Sequence, residues 1–376
     1  MLAGVIGVPR AGLLPQALAQ AAPNQIYSHG EPTPEEQLML ELVNRARANP
    51  TAEAARFGID LNEGITTDPL SPDPKQPLAF NAQLIAAARG HSQWMLDNDV
   101  FDHFETGGIG PGDRIQAAGY VLSGSWTYGE NIAWQGQTGG SPPVGPTVTA
   151  EEQGLFVDED IPGRGHRENL MRGAFREIGI GVKTGVFSTQ GFDLNTVMAT
   201  QDFGTTGANP GPLLIGVVYR DANGDGAYSV GEGVAGVTVT PASGTFYALT
   251  STSGGYAIPV GRTSGTLQVT FSGGTLGAPV TRTVTLSQQN LKLDLETISG
   301  VPVTLGFVAG SARVTPGGFF EADVYGPANA SVSIQTSDDL LNWTLAATIK
   351  LTGAATHFTD TKSGTHSRRF YRAVKN

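Results

Sequence analysis

One histidine stands in a setting that could support metal or proton chemistry. The stretch GRGHRENLM places His166 after Gly163 and Gly165 and between Arg164 and Arg167, at the expected first turn of a short helix. There the helix dipole and both arginines oppose protonation of the ring, so we expect a neutral imidazole near pH 7. A neutral imidazole can bind a metal or accept a proton. No HExxH or HxH pattern accompanies it, so its partners must come from distant parts of the chain.

A second group of residues has the spacing of a calcium loop. The sequence DANGDGAYSVGE, residues 221–232, matches D-x-[DN]-x-[DN]-G-x5-E, with Gly226 at the sharp turn. The expected ligands are four side chains and one backbone carbonyl: Asp221, Asn223, Asp225, Glu232 and, through its carbonyl, Ala227. Strand-like segments flank the loop where an EF-hand has helices, so a bound Ca²⁺ would be structural. The alternative interpretation is a polar β-turn without a metal.

Composition narrows the classes of protein that can carry these residues. The 376 residues have a formal net charge of −11, and the acidic excess lies within residues 1–209. No stretch clusters Lys and Arg with aromatic residues, which argues against nucleic acid as a partner. The chain has no cysteine, so any metal must be bound through nitrogen or oxygen. No apolar run approaches the ~20 residues of a membrane helix, so we expect no transmembrane segment.

The N-terminal segment predicts export. Residues 1–23 are apolar, lack acids and end in a small-residue AQA, as the cleavage region of a signal peptide does. Pro9 and Arg10 interrupt the apolar run, so the true start of the signal could lie upstream of Met1. A disordered tail is the alternative. We therefore interpret residues 1–32 as a signal peptide-like segment and linker, and we expect a secreted protein, free or attached to the cell surface.

Helices and then strands are predicted between residues 33 and 206. Thr33, Pro34 and Glu36 form a capping box before apolar residues at helical spacing. A second helix is expected from about Asn81 and a third over residues 147–160. Two strand-like runs, IGIGVKTGVF and TVMATQDFG, follow. This order indicates an α+β domain.

The remainder of the chain reads as all-β. TTGANPGP, residues 205–212, has the composition of a linker. Short alternating runs rich in Val, Thr and Tyr follow, broken by glycines, and a second boundary falls near residue 300. We therefore predict two β-sandwich modules, over residues 207–299 and 300–376.

Six motifs in one order make the α+β part resemble a known family. AFNAQLIAAARGHSQWM, FDHF, YGENIAW, GRGHRENLM, REIGIGV and MATQDFG resemble the bacterial form of the secreted CAP superfamily, which includes cysteine-rich secretory and pathogenesis-related proteins. The resemblance covers residues 33–206 and implies an α-β-α sandwich. The module with the calcium loop is similar to B-type repeat modules of bacterial adhesins, and the last module to C-terminal β-sandwiches of secreted bacterial proteins.

The CAP resemblance also implies a cleft tetrad of two histidines and two acids that can hold a divalent cation. FDHF supplies His103, GENIA supplies Glu130 and GHREN supplies His166. Glu152 fits best as the second acid, with Glu151 as the alternative. Such a set suits Zn²⁺, and also Mn²⁺, Ni²⁺ or Cu²⁺. A Gly/Pro-rich insertion, GQTGGSPPVGP, follows the GENIA motif and could reshape the cleft rim.

Each of these residues also has a purely structural interpretation. His103 could be a loop residue, Glu130 a solvated acid and His166 a helix-start residue. His91 lies on the apolar stripe of its helix, which favours a hydrogen-bonded core histidine over a ligand. Asn131 is expected to fix local backbone. The acids at 158–160 are most simply a solvated loop.

Three functions are compatible with the sequence. The first is a non-enzymatic CAP domain that binds a divalent cation and a small lipid or peptide ligand, with the calcium-stabilised module as spacer or surface attachment. The second is a metal-dependent extracellular hydrolase in which Glu130 or Glu152 acts as the base. The third is a cell-surface adhesion protein whose CAP domain recognises a partner.

Overall fold

The computed structural model describes residues 23–66, 68–208, 211–297, 305–307, 311–325, 330–351, 356–366 and 368–375. The predicted signal peptide, residues 1–21, therefore lies outside the described residues. No helix in the described part is long and apolar enough to cross a membrane.

Six helices build the N-terminal domain within the described residues. They are α1 (Pro34–Ala48), α2 (Pro50–Arg56), α3 (Ala82–Asn98), α4 (Pro111–Ala117), α5 (Val144–Val157) and α6 (Gly165–Met171). The predicted capping box is present, because the Thr33 hydroxyl accepts from the Glu36 N–H and the Glu36 carboxylate accepts from the Thr33 N–H. The Asn81 side chain caps α3. The three long helices were thus predicted, whereas α2 and α4 were not.

One four-stranded sheet lies between these helices. Its strands are β2 (Ala79–Phe80), β3 (Thr127–Gln137), β4 (Glu177–Thr189) and β5 (Phe192–Thr205), in the order β2-β4-β5-β3. Helices α1, α5 and α6 share one apolar cluster with β4 and β5, and α3 packs against the same strands with a separate cluster. Helix and sheet are thus mixed in layers, as an α+β domain requires.

Alternating residues in β4 explain why α3 packs so closely. Ile178 and Ile180 point into the cluster shared with α1 and α5. Gly179 and Gly181 alternate with them, and a Cβ at Gly179 would lie 1.9 Å from the backbone carbonyl carbon of Leu84 in α3. The IGIG motif therefore places bulk on one face and leaves room for a helix backbone on the other.

Two sheets form the second module. The strands are β1 (Gln25–Ile26), β6 (Leu213–Tyr219), β7 (Val237–Pro241), β8 (Phe246–Leu249), β9 (Gly255–Pro259), β10 (Gly265–Gly273), β11 (Val280–Leu286), β12 (Leu291–Lys292) and β13 (Leu295–Glu296). One sheet has the order β1-β8-β7-β10-β11, and the other joins β12, β6 and β13 with β9 paired to β6. An apolar cluster contains residues from both sheets.

The segment before α1 differs from the predicted linker. Strand β1 pairs in parallel with β8, so residues 25 and 26 belong to a sheet of the second module. Tyr27 packs with Ala79, Leu213 and Ile215, and His29 is buried. Within the described residues, the end of the predicted 1–32 segment is therefore part of the fold.

Two smaller sheets lie in the C-terminal part. Their strands are β14 (Gly306–Phe307), β15 (Arg313–Val314), β16 (Phe320–Tyr325), β17 (Ser331–Ser337), β18 (Thr344–Lys350), β19 (Thr356–Asp360) and β20 (Phe370–Lys375), with a 3₁₀ turn at Ser363–Thr365. Strand β16 pairs with β14, β15 and β19, and β17 pairs with β18 and β20. One apolar cluster again draws on both sheets.

The second module packs directly against the N-terminal domain. The Lys292 ammonium lies 2.8 Å from the Glu41 carboxylate of α1. The Asn290 side chain donates to the Arg176 carbonyl at 2.7 Å, and the Tyr228 hydroxyl donates to the Pro34 carbonyl at 3.3 Å. Polar contacts and the apolar cluster around Ala79 thus join the two units.

Candidate metal and ligand cleft

A cleft of about 570 Å³ lies between β3, α5 and the loop that leads into α6. Residues from these three segments, and Phe101 from the loop after α3, line it: Phe101, Ala133, Trp134, Gln135, Ala150, Glu151, Gln153, Gly154, Leu155, Val157, Asp158, Glu159, Asp160, Ile161 and His166. Strand β3 is an edge strand, so side chains from both faces of the sheet can approach the cleft around it.

The first predicted pair, His103 and Glu130, is in direct contact. His103 follows α3 in a loop, and its Nδ1 donates to Glu130 Oε1 at 2.7 Å, since a carboxylate can only accept. The other Glu130 oxygen accepts from the Arg114 guanidinium, which also donates to the His103 carbonyl at 2.9 Å. Glu130 is buried whereas the His103 side chain is 42% exposed. The sequence thus placed two distant residues together correctly, but both Glu130 oxygens are engaged.

Charges around Glu130 determine its protonation. Burial alone would raise the pKa of Glu130, but the hydrogen bond from His103 and the charge of Arg114 together lower it. Asp202 lies directly opposite Glu130 in the β3–β5 ladder, and neither of its oxygens has a hydrogen-bond partner. Burial and the nearby Glu130 charge raise the pKa of Asp202 well above its ordinary range. A protonated Asp202 beside an ionised Glu130 is the arrangement that avoids two adjacent negative charges.

His166 is held by the carboxylate of Asp158, a residue predicted to lie in a solvated loop. Its Nδ1 donates to Asp158 Oδ1 at 2.7 Å, and its backbone N–H donates to Asp158 Oδ2 at 2.9 Å. Asp158 ends α5 in a left-handed conformation, with φ of 54°, and is buried. The prediction of a solvated acidic loop is therefore wrong for Asp158 and fits only Glu159 and Asp160, which are exposed.

The arginines beside His166 are turned away from its ring. Arg167 is buried and donates to the carbonyls of Phe156 at 2.6 Å and Leu61 at 3.0 Å. Arg164 donates to the Asp158 carbonyl at 2.6 Å. The helix start was predicted correctly, since His166 is the second residue of α6. However, the charged group in contact with the imidazole is a carboxylate, so the argument from flanking arginines does not hold.

The two acids proposed for α5 have different surroundings. Glu151 lines the cleft and is 2% exposed, and its carboxylate faces the backbone N–H of Gln135 in β3, which is its hydrogen-bond donor. Glu152 is also buried but lies in a separate cavity beside Arg45 and Glu53, and it accepts from Gln201 Nε2 at 2.5 Å. Burial raises the pKa of each acid to about 8, and a hydrogen bond opposes the rise in each case.

A buried amide network joins the segments that carry these residues. Asn131 Nδ2 donates to the His166 carbonyl at 3.3 Å and to Gln201 Oε1 at 3.1 Å. Asn169 Nδ2 donates to the Glu130 carbonyl at 3.2 Å. Asn131 therefore fixes backbone, as predicted. The network ties β3 to α6 and, through Gln201, to Glu152 of α5.

His91 was predicted as a hydrogen-bonded core histidine, and its geometry agrees. It is fully buried, its Nδ1 lies 3.0 Å from Glu105 Oε1, and its Nε2 lies 3.0 Å from the Asp102 carbonyl. Burial lowers the pKa of His91, and the charge of Glu130 opposes this in part.

The predicted tetrad is not gathered into one preformed metal site. No group of three or more His, Asp or Glu side chains among the described residues is arranged to hold a metal. His103 and Glu130, one half of the predicted tetrad, are in contact, whereas His166 lines the cleft together with Glu151. Glu152 does not line this cleft. The carboxylate oxygens of Glu151, which lines the cleft, are nevertheless of the kind that binds a divalent cation.

The first acid of the loop at residues 221–232 organises the loop backbone, although no three acids among the described residues are gathered to hold a metal. Asp221 accepts from the N–H groups of Gly224 at 2.7 Å, Asp225 at 3.2 Å and Gly226 at 2.9 Å. Gly226 has a φ of 75°, which L-residues with side chains rarely adopt. Strand β6 precedes the loop and β7 follows it, so the strand-like flanks were predicted correctly.

The two ends of this loop are closed by its last acid. Glu232 is buried and accepts from the N–H groups of Ala222 at 2.9 Å and Ser229 at 2.8 Å. The Asn223 amide donates to Asp225 Oδ2 at 3.0 Å. Most of the predicted calcium-binding oxygens thus lie on one compact loop at the surface.

The N-terminal domain is thus a mixed domain with helices around one sheet, and two of its imidazoles are hydrogen-bonded to buried carboxylates. Residues 40–203 match the sequence profile of the cysteine-rich secretory protein family, CAP. The chain therefore carries a CAP domain over these residues.

The likeness to a solved structure covers less than half of the chain. One solved structure that matches is an extracellular protein containing an SCP domain from Bacillus anthracis str. Ames, at 25% sequence identity and a TM-score of 0.28. The match covers 45% of this chain and 39% of that chain. No curated protein matches the chain.

Proposed function

We propose that the CAP domain binds a divalent transition cation, Zn²⁺ being the first choice, through Nε2 of His103 and Nε2 of His166. The observation that carries this proposal is the matched pair of carboxylate–histidine contacts. Each Nδ1 donates to a buried carboxylate at 2.7 Å, from Glu130 in one case and Asp158 in the other. Metal-binding histidines characteristically donate their second N–H to such a partner, which fixes the tautomer and orients the ring.

Glu151 is the acid that best completes the set. It lines the same cleft as His166, whereas Glu152 lies in a separate cavity and is bound to Gln201. Glu130 would position His103 instead of binding the ion, because its oxygens are held by His103 and Arg114. Since no three donors are gathered in the described residues, binding requires the side chains to move together. The bound cation would supply Lewis acidity and a position for a ligand.

The test is cation binding by the full-length chain and three histidine variants. We expect His103→Ala and His166→Ala each to weaken zinc binding at least about tenfold, measured by chelator competition. The matched control is His357→Ala, which removes an exposed histidine that also contacts an aspartate. Unchanged affinity in both cleft variants would refute the site.

A second candidate is a metal-dependent hydrolase, which one observation favours. Glu151 lines the cleft, and burial raises its pKa to about 8, so it can hold a proton at neutral pH as a general acid does. The acids predicted from sequence, Glu130 and Glu152, are both hydrogen-bonded. Hydrolysis of peptide and ester substrates that requires metal and is lost in Glu151→Gln would support this function. Equal rates in wild type and variant would exclude it.

We further propose that residues 221–232 bind Ca²⁺ in a structural role. Support comes from the complete sequence pattern, the turn at Gly226 and the carboxylate of Asp221, which already organises the loop backbone. Ca²⁺ at a hundred times its Kd would stabilise the folded chain by about 2.7 kcal/mol. Melting of the full chain should therefore shift upward with millimolar Ca²⁺ and not in Asp221→Ala. Asp73→Ala, at an exposed acid elsewhere, is the control, and a wild-type chain that ignores Ca²⁺ would end the proposal.

Secretion is the third part of the proposal. The apolar start ending in AQA and the secretory character of the family whose profile matches support it. Expression of the full chain should place a mature protein, shortened at its N-terminus near Ala21, outside the cell. Retention of an uncleaved chain inside the cell would contradict export.

A further inference from the structure

The cleft runs beside a free strand edge. Strand β3 pairs with β5 alone, and residues Ala133, Trp134 and Gln135 of β3 line the cleft. Within the described residues, only β5 forms backbone–backbone hydrogen bonds with these three, and the N–H of Gln135 also faces the Glu151 carboxylate. A free edge offers N–H and C=O groups to which an extended chain can add as a further strand.

The wall of the cleft that faces β3 is acidic. Four carboxyl groups, those of Glu151, Asp158, Glu159 and Asp160, line the cleft, and no Lys or Arg does. Glu159 and Asp160 are exposed, so they are free to meet a ligand. Glu151 is 2% exposed and receives only the backbone N–H of Gln135, so its carboxylate can accept further hydrogen bonds in the cleft. A ligand that brings a positive charge and N–H donors would satisfy this wall.

Aromatic side chains lie at the β3 side. Trp134 is half-buried and Phe101 is 41% exposed, and their ring centroids are 6.4 Å apart in an edge-on arrangement. Aromatic faces attract Lys and Arg groups and also pack against aliphatic stems. A small amine without a peptide backbone would contact the acidic side chains and the aromatic rings but would leave the edge of β3 unpaired.

We infer that the cleft binds an extended peptide segment that pairs with the free edge of β3 and places a Lys or Arg side chain among the acids of the facing turn. The inference uses the cleft of the proposed function but does not require the cation. The chain's net charge of −11 further disfavours acidic peptides. A cleft of about 570 Å³ falls within the range of ligand-binding pockets.

Peptide binding by the full-length chain tests the inference. The probes are labelled peptides of about six alternating Val and Thr residues with a central Lys, Glu or norleucine, read by fluorescence anisotropy. We expect the Lys peptide to bind about tenfold more tightly than the norleucine peptide, the Glu peptide to bind most weakly, and added salt to reduce these differences. N-methylation of alternate backbone amides in the Lys peptide should weaken binding about tenfold, because it removes strand hydrogen bonds.

Two double variants that remove the same number of charges distinguish binding in the cleft from general electrostatic attraction to the acidic protein. Glu159→Gln with Asp160→Asn should lower the preference for Lys over Glu at least about fivefold. Asp97→Asn with Asp193→Asn, at exposed acids outside the cleft lining, should leave it unchanged. Equal loss in both pairs, equal binding of the Lys and Glu peptides, or indifference to N-methylation would overturn the inference. Binding of neutral phospholipid vesicles in place of any peptide would do the same.

Measurements with a chelator distinguish this inference from the proposed cation site. Lys-peptide binding that persists in chelator and in His103→Ala supports the peptide site even if no cation binds. Zinc binding without any peptide preference supports the cation site and refutes the peptide site.

Discussion

Replacing Glu151 by Gln should change how the stability of the protein depends on pH. Burial raises the pKa of Glu151 from its ordinary 4.5 to about 8. The folded state therefore binds the proton more tightly than the unfolded state. The sign follows: the contribution of this carboxyl to the free energy of unfolding is fully present below pH 4.5 and is lost as the pH rises to about 8.

The size of the effect follows from the same two pKa values. A shift from 4.5 to about 8, at ~1.4 kcal/mol for each pH unit, amounts to about 5 kcal/mol. Because the residue is 2% exposed, solvent screening reduces this little. Gln resembles the protonated acid in shape and never ionises. Glu151→Gln should therefore match wild type near pH 4.5 and exceed it by up to about 5 kcal/mol above pH 8.

Urea unfolding of both proteins across this pH range provides the measurement. The variant should keep part of the wild-type pH dependence, because burial raises the pKa of Glu152 to about 8 as well. Glu159→Gln, at an exposed acid eight positions closer to the α6 start, is the control and should follow wild type. If Glu151→Gln loses stability with pH as steeply as wild type, then Glu151 ionises freely in the folded state and the reasoning from its burial is refuted.

Three further perturbations test other features. Asp158→Asn should weaken zinc binding about tenfold to a hundredfold, measured by chelator competition, because it loses the carboxylate that holds His166 Nδ1; Asp160→Asn should not. Burial lowers the pKa of His29 to about 4, so wild type should lose up to about 3 kcal/mol of stability as the pH falls from 6.5 to about 4, and His29→Leu should not. Acid titration followed by circular dichroism measures this, and equal losses in the two proteins would contradict the prediction. Gly179→Ala should prevent folding or cost more than about 3 kcal/mol in urea unfolding, because its Cβ would lie 1.9 Å from Leu84. The control is Gly90→Ala in α3, whose Cβ would meet no atom within 4 Å and which should cost less.

Capped helices and buried strands were readable from the sequence because their signals are local. Thr33 and Glu36 form a capping box that any helix start of this type would show, and the IGIG alternation marks one bulky and one bare face. Strand β3 and helix α4 were missed, since both lie in Gly-rich sequence whose pairing partners are distant. Gly129 and Gly136 interrupt the alternation of β3, and it is the long ladder with β5 that makes it a strand.

The candidate site was only partly predictable for a similar reason. The contact between His103 and Glu130 followed from a resemblance, because an interval of 27 residues has no meaning without the fold. Asp158 was missed, since three consecutive acids suggest a solvated loop and sequence does not show which of them turns inward. Its one usable signal is the position at the end of a helix, where a left-handed residue redirects the chain. The choice between Glu151 and Glu152 depends on which side of α5 faces β3.

The parallel pairing of β1 with β8 has a consequence for how the protein is made. Because residues 25–26 belong to a sheet whose next strand is 246–249, the whole CAP domain is an insertion between two neighbouring strands of another module. During synthesis the first strand emerges early and must wait for its neighbour until the CAP domain has been completed. Strand β1 can thus take its place in the sheet only after residues 246–249 have been made.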